Sequence, residues 1–109
     1  MVPISPSRAK ALLSKRAEEL SLRHGLKYEG LVLRSQRAQW GSCSPKNRIS
    51  LNIKLARLPA DLIDYVIMHE LVHTRIKDHG PGFWGLLNSV FGDARAMDRR
   101  LRQFHLELL

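Results

Sequence analysis

The chain is 109 residues long, 44% hydrophobic and 26% charged, which is ordinary globular usage and excludes both a disordered chain and a two-domain layout. Its net charge of +8, from 18 Lys and Arg against 10 Asp and Glu, admits DNA or another polyanion as a partner through a basic surface. Cys43 is the only cysteine and has no internal disulfide partner; with no apolar run of about 18 residues and no signal-type start, a reducing cytoplasm and no membrane contact are expected.

Residues 1–109 therefore read as a single domain with a modest core. Ser5 and Pro6 suit an N-cap and a first helical position. Ala9, Leu12, Leu13, Ala17 and Leu20 recur at helical spacing, and Gly25 suits the helix end. Three short segments of strand character follow, from Tyr28 to Leu33, Ala38 to Ser42 and Arg48 to Ile53. In the third, Ile49, Leu51 and Ile53 alternate with Arg48, Ser50 and Asn52. Ser44-Pro45-Lys46-Asn47 is a turn signal, so the last two strands form an antiparallel hairpin.

From Pro59 the pattern becomes helical, with Pro59 in the first turn and Asp61 complementing the helix dipole. Leu62, Ile63, Val66 and Ile67 give an apolar face, and the helix is expected to stop near Lys77, before Gly80-Pro81-Gly82. Phe83, Leu86, Leu87, Val90 and Phe91 mark another amphipathic helix ending at Gly92. Asp93 then caps a last helix carrying Met97, Leu101, Phe104 and Leu108. The order is α+β: an N-terminal helix, a small three-stranded sheet containing an antiparallel pair, a long central helix and two C-terminal helices. Arg95, Arg99, Arg100 and Arg102 cluster on the last helix, where a solvated basic face and a nucleic-acid contact both fit.

The chemistry concentrates in the run from His69 to His79, which opens His69-Glu70-Leu71-Val72-His73. Two histidines four apart on a helix are rotated by about 40° and separated by about 6 Å along the axis, so both rings reach one metal. His79 follows just past the expected helix end, where a turn swings it back as a third ligand. Three protein ligands and an open fourth position are the pattern of a catalytic zinc site. Glu70, directly after the first ligand, is placed for the attacking water rather than for the metal. With five His and five Glu in the chain, shuffling would produce this pentad in about one sequence per hundred, so the helical context and the third histidine carry the argument.

Trp40-Gly41-Ser42-Cys43, Asn52, Pro59, Asp64-Tyr65-Val66, His69-Glu70-Leu71-x-His73, His79 and Phe83-Trp84 together resemble the YgjP-like family of zinc metallopeptidases. The match runs from about Arg37 to Trp84. The resemblance implies a compact zincin domain, a minimal metallopeptidase, with Zn2+ as cofactor, His69, His73 and His79 as ligands and Glu70 as general base. Asp78 and Gly80 depart from the family's frequent Asn and Ser, and His79-Gly80-x-x-Phe83 is similar to the SprT-like proteases, which act on DNA-crosslinked proteins. Metzincins place Gly where Ile76 stands here, so this chain is expected to leave its helix later, between Asp78 and Gly82.

Trp40, Gly41, Ser42 and Asn52 are candidate substrate-binding residues, because a strand beside the active helix can pair with an extended peptide. Trp40 equally fits a core-covering role. Tyr65 reads as a core tyrosine, Cys43 as a small buried thiol, and Phe83 and Trp84 as anchors for their helix. Asp64, Asn52 and Asp98 are candidate acceptors for the ligand histidines. The function expected is zinc-dependent hydrolysis of peptide bonds in a peptide or protein substrate. The alternatives are a DNA-associated protease of the SprT-like kind and a non-catalytic zinc module that binds nucleic acid or protein.

Overall fold

The computed structural model describes residues 4–106. Helix α1 spans Pro6–His24. The Ser5 hydroxyl accepts from the Arg8 amide at its start, and Gly25 closes it in the left-handed region at φ 64°, where a Cβ would be strained. Ala9, Leu13, Ala17 and Leu20 form its buried stripe, whereas Leu12 is largely exposed.

Strands β1 (Gly30–Arg34), β2 (Gly41–Cys43) and β3 (Arg48–Asn52) form one sheet in the order β1-β3-β2. The β2–β3 hairpin is antiparallel as expected, and β1 pairs with β3 in parallel, Leu31 opposite Ile49 and Leu33 opposite Leu51. Most strand boundaries shift from the sequence reading: β1 runs from Gly30 to Arg34 rather than from Tyr28 to Leu33, and β2 ends at Cys43 rather than Ser42; two further shifts have a visible cause. The segment expected as a strand from Ala38 begins only at Gly41. Its preceding loop is taken off the sheet by the Asn52 side-chain amide, which donates to the carbonyls of Gln36 and Gln39 at 2.9 and 3.1 Å. Ile53 does not extend β3 but opens a short 3₁₀ helix, Ile53–Arg57, because the Asn52 side-chain Oδ1 accepts from the Lys54 amide and caps the turn.

Helix α2 (Ala60–Val72) is buried on nearly every side, as its mostly apolar sequence requires. It packs against α1, β2 and the two helices that follow, α3 (Pro81–Phe91) and α4 (Ala94–Leu101). Asp93 caps α4 by accepting from the Ala96 amide. Phe104 lies beyond α4 and packs on the core, and Leu108 lies outside the described residues.

The exit from α2 corrects the expectation of a helix running to Lys77. The helix ends at Val72 with His73 as its cap. The Thr74 hydroxyl donates to the Leu71 carbonyl, and the amides of Thr74 and Arg75 bond three residues back. That tightened turn uses the last carbonyls before Ile76 and releases the chain earlier. No described helix is long and apolar enough to cross a membrane.

Candidate metal centre

Three elements meet around the expected ligands: the C-terminal half of α2, the loop leaving it, and the start of α3. His69 and Glu70 lie in the last turns of α2 and His73 caps it. His79 lies in the loop, brought back by a local device: the Asp78 carboxylate accepts from the Gly80 amide at 2.8 Å, bending the chain around the residue between them. Lys77 fastens the same loop to the β2–β3 turn by donating to the Ser44 carbonyl and the Asn47 side chain.

The outcome is that one donor nitrogen from each of His69, His73 and His79 lies within 4.8 Å of the others, a group that could hold one metal ion. His73 and His79 face each other through Nε2 atoms 3.0 Å apart. Two nitrogens sharing a tetrahedral zinc are about 3.3 Å apart, from Zn–N lengths near 2.05 Å. The residues present therefore fit the cation. The tautomer fits as well. His73 Nδ1 lies 2.9 Å from the Ile76 carbonyl, which can only accept, so Nδ1 carries the hydrogen and Nε2 keeps its lone pair. Burial holds His73 below the usual histidine range despite that hydrogen bond, which favours the neutral, ligating form.

Glu70 is 6% exposed and places Oε2 3.1 Å from His69 Nδ1, so its carboxylate borders the histidine group. The backbone of β2 passes directly over it: a Cβ built on Gly41 would stand 3.2 Å from Glu70 Cγ. Gly41 and Cys43 line the same opening as the histidines, together with Lys77. Burial raises the Cys43 thiol, and its hydrogen points to the Ser44 carbonyl.

Phe83 has a larger part than the helix anchor read from the sequence. It is fully buried, and its ring centroid lies 4.6 to 5.0 Å from all three imidazoles. It is the apolar floor of the group. Its spacing, four residues after His79 with Pro81 at the start of α3, was the available signal.

The other expected residues disperse. Trp40 and Gly41 border a cavity beside Glu70. Ser42 lines the opposite, outer face of the sheet with Val32 and Arg34. Asn52 is buried, its amide engaged with the Gln36–Gln39 loop. None of the three candidate acceptors makes a hydrogen bond to the histidines; each has other partners. Asp64 takes a two-point bond from Arg16 at 2.7 Å. Asp98 accepts from the Tyr65 hydroxyl and from Arg102. Tyr65 is fully buried, and burial beside Asp98 pushes its phenol far above the usual range. Within the basic cluster of α4, Arg100 pairs with Asp61, Arg102 with Asp98, and Arg95 stacks 4.2 Å from the Trp84 ring centroid. Three of its four arginines thus have partners within the chain, Arg100 and Arg102 at its surface.

Comparison with known proteins agrees with this architecture. The model of the YgjP-like metallopeptidase domain matches residues 4–104. The chain belongs to the YgjP-like metallopeptidase family. No curated protein matches its sequence. Among the solved structures that share the fold are two metallopeptidase zymogens. The crystal structure of the metallopeptidase zymogen jannalysin of Methanocaldococcus jannaschii superposes with a TM-score of 0.73 at 20% identity, covering 84% of this chain and 94% of that one. That of the zymogen abylysin of Pyrococcus abyssi gives 0.72 at 20% identity, over 84% and 92%. A YgjP-like metallopeptidase domain implies a metal ion, and the three-histidine group of this chain is able to take one.

Proposed function

We propose that this YgjP-like domain is a zinc-dependent peptidase in which His69, His73 and His79 hold the metal and Glu70 is the general base. The observation that carries the reading is the convergence of three imidazoles within 4.8 Å, with the Glu70 carboxylate at their edge. Imidazole donors suit zinc, and three of them leave a fourth position open for reaction. Zinc, when bound, supplies Lewis-acid activation of the attacking water and of the peptide carbonyl.

The chain's own groups do the rest. Glu70 takes the proton of the attacking water on its carboxylate and delivers it to the nitrogen of the leaving amine. Its burial limits competition from bulk water. His73 is oriented by its Nδ1 hydrogen bond to Ile76, which fixes the lone pair on Nε2. Strand β2 is at the sheet edge, paired on one side with β3. An extended peptide pairing with its other side would pass beside Gly41, over Glu70.

The test compares the zinc-loaded protein with Glu70→Gln for bound zinc and for hydrolysis of casein and a peptide mixture. Retained zinc with hydrolysis lowered by about 10²-fold or more is expected. Equal hydrolysis by both proteins would remove Glu70 from the mechanism. Bound zinc with no hydrolysis by either would make this a non-catalytic metal module.

A further inference from the structure

Two openings meet at Gly41, His69 and Glu70. One holds the remaining histidines and Lys77. The other is a cavity of about 240 Å³ running away from the metal group between β2, α2 and α4, walled by Trp40, Tyr65, Val66 and Leu101. A cavity of about 150 Å³ with apolar walls suffices for a benzene ring, so this one has room for a large side chain. Its position follows from the fold. The Asn52 side chain pins the Gln36–Gln39 loop and its backbone N–H donates to the Trp40 carbonyl, setting Trp40 on one wall. The Asp93 cap and the Asp61–Arg100 pair hold α4, and with it Leu101, on the other.

The wall carries one carboxylate besides Glu70, that of Asp98. Its oxygens are already used, Oδ1 by the Tyr65 hydroxyl at 3.2 Å and Oδ2 by Arg102 Nε at 2.9 Å. A cationic side chain entering the cavity would have to compete with Arg102 for that charge. An apolar side chain loses nothing there and covers Trp40 and Leu101.

We infer that this cavity is the specificity pocket of the peptidase and that it selects a bulky apolar residue, of the size of Leu, Met or Phe, next to the scissile bond. The inference rests on the proposed peptidase activity for its catalytic consequence, but the pocket's ligand preference stands apart from turnover. A substrate strand laid along β2 places successive side chains on alternate faces, so one beside Gly41 is directed toward this cavity while the peptide carbonyl is next to Glu70.

The experiment digests a mixed peptide library with the zinc-loaded chain and reads the new termini by mass spectrometry. Leu, Met and Phe are expected at one position flanking the cut, enriched at least about tenfold over Ala. The preference should fall below about twofold in Leu101→Arg, which fills and charges the wall. Enrichment of Lys or Arg, or cleavage indifferent to the flanking residue, overturns the proposal. A second measurement does not depend on cleavage or on that variant folding. The Trp40 indole N–H resonance, assigned with Trp84→Phe, is followed during titration with N-acetyl methylamides of leucine, lysine and alanine. A shift with the leucine compound alone supports the pocket, even if no peptide is cleaved and the peptidase reading fails. No shift at millimolar ligand, or an equal shift with lysine, overturns it.

Discussion

His73 closes α2 and His79 lies in the loop beyond it, yet their Nε2 atoms face one another at 3.0 Å. His73 commits its hydrogen to the Ile76 carbonyl on the other side of the ring. Its inward nitrogen is therefore a lone pair aimed at a second imidazole. Only a proton or a cation between the rings makes such an approach favourable, and the nearby His69 makes a cation the better answer.

Metal removal should consequently cost stability. A ligand at about 1,000 times its Kd contributes about 4 kcal/mol to the folded state. For a domain of this size each kcal/mol moves Tm by about 4–8 °C. Calorimetry of the zinc-loaded chain before and after chelation should show Tm falling by about 15–30 °C, and His79→Ala should lose most of that response. A Tm indifferent to the chelator would mean that the three rings hold no metal.

Gly41 is where the edge strand comes closest to the base. A Cβ there would meet Ser50 O at 3.1 Å, Glu70 Cγ at 3.2 Å and Leu51 Cδ2 at 3.3 Å. Ser50 O belongs to the paired strand β3, so the Glu70 and Leu51 side chains are the ones that must give, by a few tenths of an ångström. Gly41→Ala should retain zinc while lowering kcat/KM by up to about tenfold, since even a shift well short of about 1 Å is costly at a reacting centre. Gly85→Ala is the control: its Cβ meets nothing within 4 Å, and in α3 it should stabilise by up to about 1 kcal/mol. Steady-state kinetics on both variants checks the contrast; equal activity would place Glu70 elsewhere during reaction.

What could be read from the sequence was what depends on near neighbours. The caps at Ser5, Gly25 and Asp93, the hairpin around Ser44–Asn47 and the helical spacing of His69 and His73 are all local, and all are present in the structure. The parallel pairing of β1 with β3 joins residues 18 positions apart, and no local pattern encodes it. The late start of β2 depended on Asn52 reaching back to Gln36 and Gln39. The early exit from α2 depended on Thr74 bonding to Leu71 and His73 to Ile76, polar contacts that hydrophobic periodicity does not register. The spacing of His69, His73 and His79 indicated the candidate ligands, but the histidines alone gave no sign that Phe83 packs against all three.

Asp64 separates a structural carboxylate from a site one. Both of its oxygens accept from Arg16 at 2.7 Å, joining α1 to α2 in a partly buried pair. Losing hydrogen bonds to a charged group costs about 1.5–3 kcal/mol, so Asp64→Ala should lower Tm by about 6–24 °C at the scale of a small domain. Bound zinc per folded molecule should be unchanged. A lower zinc content with an unaltered Tm would return Asp64 to the histidines.

Gly80 tests how the third ligand is presented. Its amide donates to Asp78 Oδ1 at 2.8 Å, and a Cβ at Gly80 would stand only 2.9 Å from that same oxygen. The backbone at Gly80 is extended, at φ −81°, so alanine meets no torsional strain there. The conflict lies with the carboxylate. In Gly80→Ala the Asp78 side chain must swing away, breaking the bond that bends the chain around His79. Asp78→Ala breaks the same bond from the other end. Each variant should weaken zinc binding by about tenfold, the scale of losses when a ligand's support is removed. Because both act on one hydrogen bond, the double variant should be no weaker than either single one. Competition with a chromophoric chelator measures all three affinities. Additive losses would show that Gly80 acts on the site by another route, and unchanged affinities that the bend around His79 is held without Asp78.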